Sequence, residues 1–98
     1  MKYLKVKWTH SLSSEPVLIY SELDENSLEM RKVEIYLDGR IGYASKCEVS
    51  GGSNLSIEPI PSVKQISNDP QFEPIEINGE EFEGIWRDRK AFTAPISL

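Results

Sequence analysis

A chain of 98 residues, 39% apolar and 28% charged, is sized for one small domain that buries roughly 60% of its unfolded surface around a single core. No stretch approaches the roughly 18 apolar residues of a membrane span, and residues 1–7 alternate charge with apolar side chains, so neither a span nor a secretion signal is expected and the cytoplasm is the default compartment. The lone Cys47 excludes an internal disulfide or a cysteine metal cluster, and the net charge of −5 disfavours sequence-independent nucleic-acid binding.

Residues 3–9 alternate, with Leu4, Val6 and Trp8 on one face and Tyr3, Lys5, Lys7 and Thr9 on the other, which predicts a half-buried strand. A polar loop over residues 11–16 precedes a short β-rich run at residues 17–20, and residues 23–27 turn the chain. Asp38-Gly39 between residues 30–37 and 40–44 is the clearest local signal and predicts a hairpin closed by a two-residue turn, with φ > 0 at both turn positions. That turn sets Val33 opposite Ala44, Ile35 opposite Gly42 and Leu37 opposite Arg40 on a core face, leaving Tyr36, Ile41 and Tyr43 on an outer face with Lys32 and Glu34.

Residues 45–54 read as a mobile loop, because Gly51-Gly52-Ser53 offers many backbone states and little to bury. Ser62 with Gln65 predicts a capping box over a short helix that ends before Asp69-Pro70, and Pro74 confines the strand at residues 72–77 to a sheet edge. Asn78 caps a final helix, with Glu80, Glu81 and Glu83 at its positive end and Arg87, Arg89 and Lys90 at the other. Its apolar stripe, Phe82, Ile85 and Trp86, places Trp86 over the hollow made by Gly42 and Ala44. Residues 91–98 read as a tail in which Phe92 and Ile96 add an apolar clasp.

A search for chemistry returns no catalytic constellation, so no enzyme activity and no cofactor are expected. His10 is the only histidine, with no positioned nucleophile beside it, and zinc would need several His or Cys ligands. Gly51-Gly52-Ser53 lacks the Lys-Ser/Thr of a phosphate loop. Two surfaces remain as partner-binding candidates. All the net charge falls in the second half, where residues 48–98 carry four basic and nine acidic side chains against seven of each in residues 1–47. Glu73, Glu76, Glu80, Glu81 and Glu83 concentrate it into a patch that suits a basic partner. The second surface is the outer sheet face with Tyr36 and Tyr43, which Tyr3, Lys5 and Lys7 would extend into a platform able to stack bases.

The segments Trp8-Thr9-His10, Tyr20-Ser21-Glu22-Leu23-Asp24, Glu29-Met30-Arg31-Lys32-Val33-Glu34, Asp38-Gly39-Arg40-Ile41-Gly42-Tyr43-Ala44, Asp69-Pro70-Gln71-Phe72-Glu73 and Glu81-Phe82 with Trp86 carry a resemblance. Over residues 3–87 the chain resembles a family of small acidic uncharacterised bacterial proteins, a domain of unknown function. Some members are encoded beside polymorphic toxins, and the resemblance implies an immunity role but no catalytic residue.

The combined expectation is a single α+β domain over residues 1–90, with a four- or five-stranded antiparallel sheet built on the central Asp-Gly hairpin, one short helix, and a C-terminal helix on one face. The expected function is a protein-binding module, an immunity protein that occludes the active site or substrate cleft of a basic toxin domain. A nucleic-acid-binding sheet module, and a small enzyme or ligand-binding domain centred on His10, are the alternatives.

Overall fold

The structure, a computed structural model, describes residues 1–90. The expected Phe92 and Ile96 clasp lies outside the described residues. The elements follow as β1 (Lys2–Trp8), β2 (Leu18–Leu23), β3 (Glu29–Ile35), β4 (Ile41–Ser45), β5 (Val49–Ser50), α1 (Val63–Ser67), β6 (Phe72–Ile77) and α2 (Gly79–Asp88). The strands form one antiparallel sheet of order β5-β4-β3-β2-β1-β6, so five strands meander and the sixth returns to pair with the first. The sheet therefore has six strands, not four or five. The additional one is β5, inside the stretch read as a mobile loop, where Ser53 is also only 2% exposed. None of the described helices is long and apolar enough to cross a membrane.

The hairpin corrects a second expectation. Asp38 keeps an ordinary φ, and only Gly39 is left-handed, at φ 90°. The Gly39 amide donates to the Tyr36 carbonyl at 2.9 Å and the Tyr36 amide to the Arg40 carbonyl at 3.0 Å, so Leu37, Asp38 and Gly39 form a three-residue loop. The extra loop residue slips the register by one, pairing Val33 with Tyr43 and Ile35 with Ile41. Because side chains alternate along a strand, one residue of slip exchanges the faces. Tyr43 and Ile41 now share the face of Val33 and Ile35, while Gly42 and Ala44 turn to the opposite side with Lys32 and Glu34. Leu37, expected in the core, is 75% exposed at the loop tip.

The capping signals place both helices. Asn78 accepts from the Glu81 amide at the start of α2, and the Ser62/Gln65 capping box is complete at the start of α1. Across one sheet face, α2 buries Phe82 against Tyr20 and Val33, with Tyr3, Ile35, Ile85 and Trp86 packed around them. Trp86 consequently sits beside Tyr43, ring centroids 5.9 Å apart, and not over Gly42 and Ala44.

The opposite face carries Leu4, Val6 and Ala44, all buried, and is crossed by a strap of residues 53–61 that leads into α1, with Ile60, Pro61 and Ile66 facing Leu4 and Val6 across a cleft. Ser53 anchors the strap by donating to the Glu34 carboxylate at 2.5 Å. Gly42 is required below it, since a Cβ there would collide with the Ser53 hydroxyl and lie 3.1 Å from the Gly51 carbonyl oxygen.

Candidate partner-binding surface

Among the described residues β6 has a neighbour on one side only, and Pro74 suits an edge because it has no amide to leave unpaired. Alternation sends Glu73 and Ile75 to the α2 side of the sheet and Glu76 to the α1 side, and Ile75 is 57% exposed. The chain then passes through Asn78 into the first turn of α2, where Glu80 and Glu81 are exposed and lie near the positive end of the helix dipole. Among the described residues, Glu73, Glu76, Glu80 and Glu81 form no ion pair.

Glu83 differs from the other four. One turn further along α2, it accepts from Arg31 at 2.5 and 3.1 Å, and Arg31 also donates to both oxygens of the buried Glu22 at 2.7 Å. The guanidinium lies 5.0 Å from the Phe82 ring and 5.1 Å from the Trp86 ring. Hydrogen bonding from Arg31 holds the Glu83 carboxyl below the usual carboxylate range, and the bonds to Glu22 and Glu83 raise the Arg31 guanidinium above its ordinary value. Glu83 is thus already neutralised within the fold, whereas the other four carboxylates are in no ion pair among the described residues, Glu73 lying opposite Lys7 in the sheet register.

The two tyrosines separate. Tyr43 is covered by α2, with the Arg89 guanidinium 4.9 Å from its ring and 3.9 Å from that of Trp86. Glu48, at the turn into β5, pairs with Arg89 and with Lys90 and ties this end of the helix to the sheet. Tyr36 sits at the hairpin loop under Arg40, 4.5 Å from the ring, and burial followed by the nearby Glu34 charge pushes its hydroxyl pKa up. Tyr3 packs on Phe82 at 5.4 Å. Tyr3 and Tyr43 therefore face the helix, and the expected open platform of Tyr3, Tyr36 and Tyr43 is not assembled.

His10 is held by backbone on both ring nitrogens. Nδ1 accepts from the Leu12 amide at 2.9 Å and Nε2 lies 2.7 Å from the Pro16 carbonyl, which fixes the Nε2–H tautomer, and the ring edge packs on Trp8 at 4.3 Å. This geometry ties down the loop after β1 and gives both ring nitrogens backbone partners. Among the described residues there is no group of three or more His, Cys, Asp or Glu placed to hold a metal.

A cleft of about 530 Å³ on the α1 face escaped the sequence reading. Its walls include Leu4, Val6, Ile19, Ile60, Ile66 and Phe72, and Ser21, Glu29 and Lys32 also line it. Glu29 is 5% exposed and accepts from the Ser21 hydroxyl at 2.7 Å and the Ser56 amide at 2.8 Å, with the Lys32 ammonium 3.0 Å away. A period of two would align Glu29 with Arg31 and Val33 under α2. The pairing instead steps from Glu22 with Arg31 to Leu23 with Glu29, so Met30 is an extra residue that rotates Glu29 to the Ser21 and Lys32 side.

Residues 2–91 match the family model of a domain of unknown function, DUF6881. No curated protein and no solved structure matches the chain.

Proposed function

The chain belongs to the DUF6881 family, and from that premise and the surface geometry we propose that it is a protein-binding module whose acidic edge docks onto a basic surface of another protein. The observation that carries the reading is the sorting of the carboxylates. Glu22, Glu29, Glu48 and Glu83 are held in ion pairs inside the fold, while Glu73 and Glu76, on the two sides of the edge strand, and Glu80 and Glu81 at the helix start are in no ion pair among the described residues. Such a group of charges raises the rate of encounter with a positive surface and fixes register upon it. The partner we infer is a bacterial toxin domain, whose active site or substrate cleft this edge would occlude as an immunity protein does.

Co-expression with the product of the adjacent gene tests the biological half of the reading. A neighbour that is toxic alone and silenced by this protein supports it; one that is harmless alone, or still toxic in its presence, sinks it. For the physical half, lysine at Glu73, Glu76, Glu80 and Glu81 together is expected to weaken association at low salt by on the order of tenfold or more and to flatten its salt dependence. Unchanged affinity and salt dependence would remove the edge from the interface.

A further inference from the structure

We propose that the cleft between the sheet and α1 is a binding site for a small uncharged apolar molecule that carries one hydrogen-bond acceptor. Its space, about 530 Å³, falls within the range of small-molecule sites, and its walls are aliphatic and aromatic. The covering is thin: α1 is a five-residue helix with no buried residue, although the sheet residues below it include the buried Leu4 and Val6. An apolar body can therefore enter beside it without displacing packed side chains.

The polar groups select the ligand's chemistry. Both oxygens of Glu29 already accept, Oε1 from the Ser56 amide with Lys32 at 3.0 Å and Oε2 from the Ser21 hydroxyl. The Lys32 ammonium has three N–H donors, yet Glu29 is its one ion-pair partner among the described residues, and its side chain is 14% exposed. A donor is thus left for an incoming acceptor. The Glu29 and Lys32 charges cancel, and the remaining charge of the lining, Asp69, is exposed to solvent, so the buried part of the site has no net charge to offset an ion. A carboxylate ligand would approach Glu29, and Asp69 at the cleft lining, against repulsion; an ammonium ligand would meet Lys32. A carbonyl meets neither penalty.

The test compares N,N-dimethylhexanamide, hexanoate and hexylammonium, which share a short apolar tail, by amide chemical-shift titration of the intact protein. The amide is expected to bind saturably, with shifts clustered at Val6, Ile19, Lys32, Ile60 and Ile66, and both ions at least about tenfold more weakly. Lys32→Met is expected to weaken the amide's binding, and Ile66→Arg, which alters the cleft wall without touching the ion pair, is expected to abolish it. Tighter binding of either ion, no saturable binding of the amide, shifts located elsewhere, or unaltered affinity in Ile66→Arg would each overturn the assignment. Should Lys32→Met fail to fold, Ile66→Arg with the three-probe comparison decides it.

Discussion

Replacing Glu29 by alanine is expected to be among the most damaging single changes to this fold. The carboxylate is 5% exposed and serves three donors: the Ser21 hydroxyl, the Ser56 amide and the Lys32 ammonium. Its loss strands two neutral donors at about 1 kcal/mol or more each and an ammonium in a partly buried site, a total of about 3–5 kcal/mol. A domain of this length commands about 5–10 kcal/mol, so the variant would keep only a fraction of its stability. Glu29→Gln keeps the shape and one acceptor, and is expected to cost roughly half as much. The double change Glu29→Leu with Lys32→Met removes both charges together and is expected to be less damaging than the alanine variant, because the uncompensated charge, more than the absent pair, sets the penalty. Urea unfolding followed by tryptophan fluorescence measures all three. If Glu29→Ala lost less than about 1 kcal/mol, or the double variant proved the worst of the set, the account of Glu29 as the strap's buried anchor would be wrong.

Gly42→Ala drives a methyl into the Ser53 hydroxyl and is expected to cost about 1–3 kcal/mol by denaturant titration, and less in a Ser53→Ala background, which already lacks both that hydroxyl and its bond to Glu34; equal costs in the two backgrounds would place the strain elsewhere. Trp86→Ala removes a ring set between the Arg31 and Arg89 guanidinium groups and against Tyr43, for a loss of about 3 kcal/mol by denaturant titration, and a loss below about 1 kcal/mol would mean that these contacts are idle. Acid is expected to weaken the fold through Glu48 and Glu83. Both carboxyls sit below their ordinary pKa, chiefly through hydrogen bonds from Arg89 and Arg31 respectively. The unfolded chain therefore takes up their protons at higher pH than the folded one, so this stabilisation is present above the ordinary carboxylate pKa and fades as pH falls through the depressed values. Melting temperature against pH in wild type and in the Glu48→Gln/Glu83→Gln variant checks it: the variant's curve should be shallower in the acid range, and superimposable slopes would refute the linkage.

The elements most legible from sequence were those fixed by local chemistry. Leu4, Val6 and Trp8 alternate in a real strand, Asn78 and Ser62 cap real helices, and Pro74 lies on an edge. What escaped was set by single residues that break a period. Asp38-Gly39 is compatible with two loop lengths, and the choice depends on which one buries Tyr43 and Ile41 beneath α2, a tertiary question that the dipeptide does not answer. The Met30 bulge is likewise invisible to a period of two, and it hid the Glu29, Lys32 and Ser21 cluster together with the cleft. β5 was missed because two strand residues among glycines and serines have no periodicity to display. Of the acidic candidates, Glu83 could be told from its neighbours only by finding Arg31, 52 residues away in sequence, at its side.

The return of β6 to β1 has a kinetic meaning. The pairs from β1 through β5 join neighbours in sequence and close short loops, whereas Trp8 meets Phe72 and Tyr3 meets Ile77 only after β2 through β5 and α1 have been made. Long closures carry a larger entropy cost before contacts reward them, so β6 and the helix that follows it are expected to join last. On a growing chain leaving the ribosome, the meander can form while the acidic edge is still unassembled. The surface we assign to partner recognition would then become competent only after the meander that supports it.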